Sequence, residues 1–279
     1  MSRQRWAVVA LAALALGTAA PPAGPAVAAP SRDRAVTTSA DNRVPVADTT
    51  TYPASATVLL TFPGGRCTGF MISARTVVTA GHCVHSGGSS GTWRTNVVAY
   101  PGHTGTTAPF GACAAARLFA PQGWTGASNA PGGGDPTQNY GAVQLTCGVG
   151  TTTGWFNPGY TTRPVTGSCT TTHGYPADRP GQWTSNAVIR AETAGLLYAP
   201  HAFSGGQDGS PVFYTPDPDD WCPTPPQLVI PCPCPPPPFT AQTALGILVS
   251  GPGGTGPGLT NSIATRFTAQ AVSNLMQWR

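Results

Sequence analysis

Residues Cys67 to Cys83 read C-T-G-F-M-I-S-A-R-T-V-V-T-A-G-H-C. Two runs rich in apolar and β-branched residues flank the polar turn Ser73 to Arg75, which is the pattern of a β-hairpin. A hairpin of this size can bring Cys67 and Cys83 within bonding distance, with His82 one residue inside the clip. The same texture recurs along the chain, at 56–62, 76–80, 93–100, 116–120, 141–145, 182–190, 211–214, 244–250 and 262–268. Clusters of Gly, Pro, Asn and Ser separate these runs, so the chain reads as all-β, a sandwich or barrels built from short strands. One helix is expected at the end. Thr268 can cap it, Val272, Leu275 and Met276 share a face, and the helix over 268–278 is expected to pack against the last barrel.

The two termini differ in character. Residues 1–29 open with Arg3 and Arg5, run apolar from Trp6 to Leu16, and reach small-residue cleavage sites near Ala26, Ala28 and Ala29, the pattern of a secretory signal. Residues 30–40 are polar and without periodicity, as in a propeptide or loose tail. No later stretch approaches the ~20 apolar residues of a membrane span. The expected product is therefore soluble, secreted to the extracellular space and monomeric. Only 9% of residues are charged, and all 14 basic residues are arginines scattered singly, giving a net charge of +4 without a basic patch. Neither nucleic acid nor a membrane is expected as a partner. Eight cysteines in an exported chain point to disulfides before metal, and spacing alone does not choose among their 105 pairings.

T-A-G-H-C at 79–83 resembles the catalytic-histidine motif of the chymotrypsin-like serine proteases. Ser204 to Phe213, S-G-G-Q-D-G-S-P-V-F, is similar to the loop that presents their nucleophile, G-x-S-G-[GS]-P-[VL]. Within that family the resemblance is closest to the bacterial glutamyl endopeptidases and covers about 41–279. It is carried also by D-N-R-V-P-V-A-D-T-T-T-Y-P at 41–53, N-Y-G-A-V-Q-L at 139–145, T-G-W-F at 153–156 and G-Y-P-A-D-R-P-G-Q-W at 174–183. It implies two six-stranded antiparallel Greek-key barrels with a cleft between them and no cofactor or metal. The amino-terminal barrel would span 41–150 and carry His82, and the carboxy-terminal barrel would span 151–279 and carry loop 204–213. The expected disulfides are Cys67 with Cys83 and Cys113 with Cys147. Cys169, Cys222, Cys232 and Cys234 stay open; C-x9-C-x-C among prolines matches no common zinc site.

Acyl transfer needs a hydroxyl nucleophile, an imidazole base, a carboxylate that orients the imidazole, and backbone donors for the oxyanion. His82 stands at the base position, whereas His85, His103, His173 and His201 have no motif and take surface or core roles. Where the resembling family has D-Y-G-A-[IL]-K-L, Asn139 stands at the orienting acid, and its amide favours the wrong tautomer. Asp135, four residues earlier, is the alternative carboxylate, reaching in from its loop. Asp208 stands at the nucleophile. A carboxylate has no proton to give at neutral pH and would form an anhydride rather than an ester. Its charge also sits beside the oxyanion hole that the resemblance assigns to the N–H groups of Gly206 and residue 208. An ion pair of Asp208 with His82 is the expected ground state. Leu248 replaces the histidine with which glutamyl endopeptidases read glutamate, and a leucine donates no hydrogen bond.

The expected function is thus a catalytically defective serine-protease homologue that binds peptide or protein in the inter-barrel cleft. The Pro/Cys-rich insertion 215–240, which carries Trp221, reads as an exposed polyproline loop or as a second partner surface. The alternative is an active endopeptidase with Ser210 as nucleophile and His82 as base. Ser204 begins S-G-G-Q but lacks the Pro-Val that should follow.

Overall fold

The computed structural model describes residues 41–127, 134–216, 239–253 and 256–279, and several of its strands are buried on both faces. Strand β1 (Val44–Pro45) is followed by β2 (Thr57–Phe62), β3 (Gly65–Met71), β4 (Thr76–Thr79), β5 (Val98–Pro101), β6 (Cys113–Phe119) and β7 (Gly141–Leu145). The last six close into a barrel in the order β2-β3-β4-β7-β6-β5, with every neighbour antiparallel. Closure removes the unpaired edges that short strands would otherwise expose. Val58, Leu60, Phe70, Val78, Ala99 and Val143 fill its interior and are at most 1% exposed.

The second half contains β8 (Asn157–Pro158), β9 (Cys169–Gly174), β10 (Trp183–Val188), β11 (Ala191–Glu192), β12 (Leu196–Ala199), β13 (Pro211–Tyr214), β14 (Thr243–Ser250) and β15 (Ser262–Arg266). Together with β1 they form a nine-stranded sheet, ordered β1-β10-β9-β13-β14-β15-β12-β11, with β8 parallel beside β14. The expected two-barrel arrangement is therefore present, the second as a curled sheet whose hydrogen-bonded path stays open. β1 precedes the first barrel in sequence yet pairs with β10, so residues near 44 are tied to the second sheet. Among strands longer than two residues, the sequence reading missed β9 and β12. β9 reads C-T-T-T-H-G, which carries no apolar alternation, yet Thr170 and Thr172 are at most 1% exposed and the Thr170 hydroxyl donates to the Ala187 carbonyl at 3.0 Å. The Thr171 hydroxyl donates to Asn186 Oδ1 at 2.6 Å, whereas the buried Thr172 hydroxyl has no partner; a strand of buried threonines carries no hydrophobicity pattern to find.

The carboxy-terminal helix Ala269–Gln277 starts as expected, with the Thr268 hydroxyl accepting from the Ala271 N–H at 3.1 Å. Its docking differs from expectation, because it returns to the first barrel. Leu275 is fully buried in the apolar cluster shared with Val77, Val78 and Tyr140. Asn274 Nδ2 donates to the Tyr140 hydroxyl at 2.7 Å, Trp278 stacks on Phe119 with centroids 5.7 Å apart, and Arg279 Nε donates to the Ile72 carbonyl at 2.9 Å. The buried stripe is Ala271 and Leu275, with Trp278 packed against the same cluster, while Met276 is 37% exposed. Large aromatic area at Phe119 and Tyr140 gives this face a better partner than the second sheet.

Cys67–Cys83 and Cys113–Cys147 are disulfides, as expected. Cys169 is also disulfide-bonded. Residues 1–40 and most of the 215–240 insertion, with Trp221, Cys222, Cys232 and Cys234, lie outside the described residues.

Candidate active site

Three separate segments bring His82, Asn139 and Asp208 together. His82 follows β4 on the short turn Gly81–Cys83, fixed by the disulfide to Cys67. Asn139 ends the turn Pro136–Gln138 just before β7. Asp208 lies in the loop before β13, between Gly206 and Gly209, both at φ +92°. The loop is stitched to both halves. Gly209 N–H donates to the Leu248 carbonyl at 2.8 Å and Leu248 N–H to the Ser210 carbonyl at 2.9 Å. From the first barrel, Thr68 N–H donates to the Asp208 carbonyl at 2.8 Å and its hydroxyl to the Gly206 carbonyl at 2.7 Å.

His82 Nε2 faces Asp208 Oδ1 at 3.2 Å, with side-chain exposures of 30% and 19%. On the other edge of the ring, Nδ1 lies 3.2 Å from Asn139 Oδ1 and 3.1 Å from Nδ2, and Oδ1 also accepts the His82 backbone N–H at 3.1 Å. An ionised carboxylate only accepts, so it places a proton on Nε2. Nδ1 then accepts from the Asn139 amide in a neutral ring, or donates to the amide oxygen in an imidazolium. In both states Nε2 lacks the free lone pair that a general base needs.

The N–H groups of Gln207 and Ser210 are bonded within the loop, at 3.1 Å to Ser204 and 3.0 Å to Gln207, and that of Gly209 is bonded to β14. Those of Gly206 and Asp208, the expected oxyanion donors, have no acceptor among the described residues, and neither has that of Gly205. Backbone donors for an oxyanion thus persist, and the Asp208 carboxylate belongs to the same short loop.

Two expectations need correction. Ser210 is fully buried, its hydroxyl has no hydrogen-bond partner, and a Cβ placed on Gly174 would lie 2.3 Å from its Oγ. The side chain therefore points into the packing against β9, because Ser210 immediately precedes the buried strand β13, which pairs with β9. Leu248 is 1% exposed and packs in the cluster of Val165, Ile189, Leu197, Val212 and Leu245, so its side chain joins the core and its backbone alone meets the loop. Asp135 does not reach in either, since its carboxylate accepts from the Thr137 N–H at 2.8 Å as a cap. Ser204 binds Gln207 Oε1 through its N–H at 2.8 Å.

Sequence reasoning missed several supports. Arg94 donates to the His82 carbonyl at 3.1 Å, and the buried Trp124 ring lies 6.5 Å from the imidazole. Neither residue carries a motif, and only the fold brings them close. Arg43 pairs with Asp41 and Asp178 and reaches Gln207 Oε1 at 3.4 Å, which ties residues 41–43 to the loop. The Arg43 guanidinium beside them holds the carboxyls of Asp41 and Asp178 at about 2. The remaining histidines take core and loop roles. His173, bonded to Gln182 at 3.1 Å, and His201, between Thr170 and Ser185, are buried, which pushes both down to about 4.

The paired sheets, the stitched loop and the bracketed imidazole define a trypsin-like serine protease fold, and the chain belongs to that family. The family pattern described as Trypsin matches residues 45–107. The chain is 40% identical over 176 residues to a glutamyl endopeptidase of Bacillus licheniformis, across 62% of this chain and 53% of that protein, so the match spans about half of the relative. It is 32% identical over 251 residues to an extracellular metalloprotease of Bacillus subtilis, across 85% of this chain and 68% of that protein. A solved Glu endopeptidase in complex with MPD superposes with a TM-score of 0.68 at 22% identity, covering 85% of this chain and 96% of the other. The protease Anisep from Arthrobacter nicotinovorans superposes at 0.56 with 19% identity, covering 78% and 92%. A metal finds no matching donor set among the described residues. The one cluster of ligand type is Cys67, His82 and Cys83, within 4.8 Å of one another, and its two sulfurs are tied to each other.

Proposed function

We propose that this chain is an exported, catalytically silent member of the family whose cleft binds peptide or protein. The observation that carries the reading is the 3.2 Å contact of Asp208 with His82 Nε2. The position that should hold an attackable hydroxyl holds an anion instead, and that anion occupies the nitrogen that should take the proton. Asn139 on the other nitrogen removes the carboxylate that would stabilise an imidazolium during turnover. Burial of Ser210 argues against a rescue from within the loop. Export is supported by the leader pattern at 1–29, by the disulfides and by the extracellular designation of the Bacillus subtilis relative. The retained fold and the pair of unengaged N–H groups at Gly206 and Asp208 support a cleft that still receives a peptide backbone.

The test is fluorophosphonate labelling of the purified secreted protein, with casein hydrolysis in parallel. Neither covalent capture nor hydrolysis is expected. Capture that disappears in Ser210→Ala would overturn the proposal in favour of a working endopeptidase.

A further inference from the structure

Arg66 lies where the β2–β3 hairpin meets the loop that carries Asp208. It is fixed by pairing with Thr61 across the hairpin and by the neighbouring Cys67–Cys83 disulfide. Its aliphatic stem runs over Gly206, since a Cβ on that glycine would lie 3.3 Å from Arg66 Cδ. The guanidinium is exposed and has no hydrogen-bond or ion-pair partner among the described residues.

Among the described residues, every acid is engaged elsewhere. Asp41 and Asp178 pair with Arg43 and Arg179, Glu192 with Arg266 and Asp208 with His82. Asp48 and Asp135 accept from the backbone N–H groups of Thr50 and Thr137.

Two hollows adjoin at Arg66. One, of about 570 Å³, lies between the hairpin and Gly205–Gly206, with Thr61 and Ala177 in its walls. The other, of about 360 Å³, continues past Leu59 and Tyr175 toward Asp178 and Arg179. In the second, Asp178 and Arg179 offset each other, and His103 is kept toward its neutral form by burial. Among the described residues, Arg66 therefore leaves both hollows with one uncompensated positive charge.

We propose that Arg66 is a specificity residue that binds a carboxylate of the peptide lying in the cleft, on the hairpin side of Gly206. A guanidinium grips a carboxylate through two parallel N–H donors, and partial enclosure between hairpin and loop strengthens that grip relative to open water. The site is separate from the Leu248 position, whose side chain is in the core. The inference deepens the proposed reading of the cleft as a peptide-binding site and rests on it.

The experiment is calorimetric titration of the purified protein at low salt with N-acetylated, C-amidated alanine–glycine octapeptides. These carry Glu, Gln or Lys at one central position, and a further Gln peptide keeps a free C-terminal carboxylate. The expected result is about tenfold tighter binding of a carboxylate-bearing peptide than of the neutral Gln peptide. The Glu and free-terminus arms identify which carboxylate is read. Arg66→Ala should reduce the preference to less than about twofold, and Arg66→Glu should reverse it toward the Lys peptide. Equal binding of charged and neutral peptides by the natural protein, or a preference that survives both substitutions, overturns the assignment of Arg66 and leaves the cleft reading intact. Failure of every peptide to bind overturns both.

Discussion

The imidazole of His82 is held between an anion and an amide, with Asp208 Oδ1 3.2 Å from Nε2 and the Asn139 amide about as close to Nδ1. Both neighbours favour a proton on Nε2, so the two replacements act on one ring and in one direction. Their effects should therefore be strongly coupled when reversed.

Asp208→Ser with Asn139→Asp is expected to create measurable casein hydrolysis, since the N–H groups of Gly206 and residue 208 are free of other acceptors among the described residues. Asp208→Ser alone should reach roughly 10⁴-fold less, because the amide still holds the wrong tautomer. Initial rates on casein for the single and double variants check this. A double variant no faster than the natural protein would show that the cleft has lost more than these two groups.

Gly209→Ala should destabilise the fold by more than about 3 kcal/mol, independently of any chemistry. At φ +92° an added Cβ would lie 1.9 Å from the Thr68 carbonyl oxygen and 2.2 Å from the Thr79 hydroxyl. Urea unfolding of the purified variant, or its failure to accumulate, measures the effect. The glycine frame of 204–213 is thus required by the close approach of β3 whether or not the loop carries a nucleophile.

Thr68→Val should cost about 2 to 5 kcal/mol despite its nearly equal volume. The fully buried Thr68 hydroxyl donates to the Gly206 carbonyl at 2.7 Å and accepts the Tyr175 N–H at 2.9 Å, so valine strands two backbone groups at once. Thr68→Ser should recover most of the loss. Denaturant midpoints for the three proteins decide the point.

Acidification should weaken the fold in a defined window. His173 and His201 are held near 4 in the folded chain against 6.5 when free, so the unfolded chain binds more protons between those limits. Stability is therefore full above about 6.5 and falls as the pH drops toward 4, by an order of about 3 kcal/mol for each histidine. Asp41 and Asp178, held at about 2, lose their pairing at lower pH and do not confuse this range. Urea midpoints from pH 7 to pH 4 should decline less steeply in His201→Gln, and parallel slopes would refute the assignment.

Adjacent residues carry the features that could be read without coordinates. The hairpin that ends in T-A-G-H-C, its Cys67–Cys83 clip and the Thr268 cap all depend on turn chemistry and short spacing, which act within a few residues. The identity of Asp208 and Asn139 was legible in the same way, from their places in local frames. What required the tertiary structure spans long separations. Thr68 meets the loop at Gly206 across 138 positions. The carboxy-terminal helix chose Phe119 and Tyr140 over the nearer sheet, Ser210 turned inward against Gly174, and Leu248 sank into the core. These outcomes depend on how two independently formed sheets pack face to face, where shape and buried area decide and no local pattern records the partner. Arg66 belongs with them, since its role comes from lying over Gly206 rather than from any motif around it.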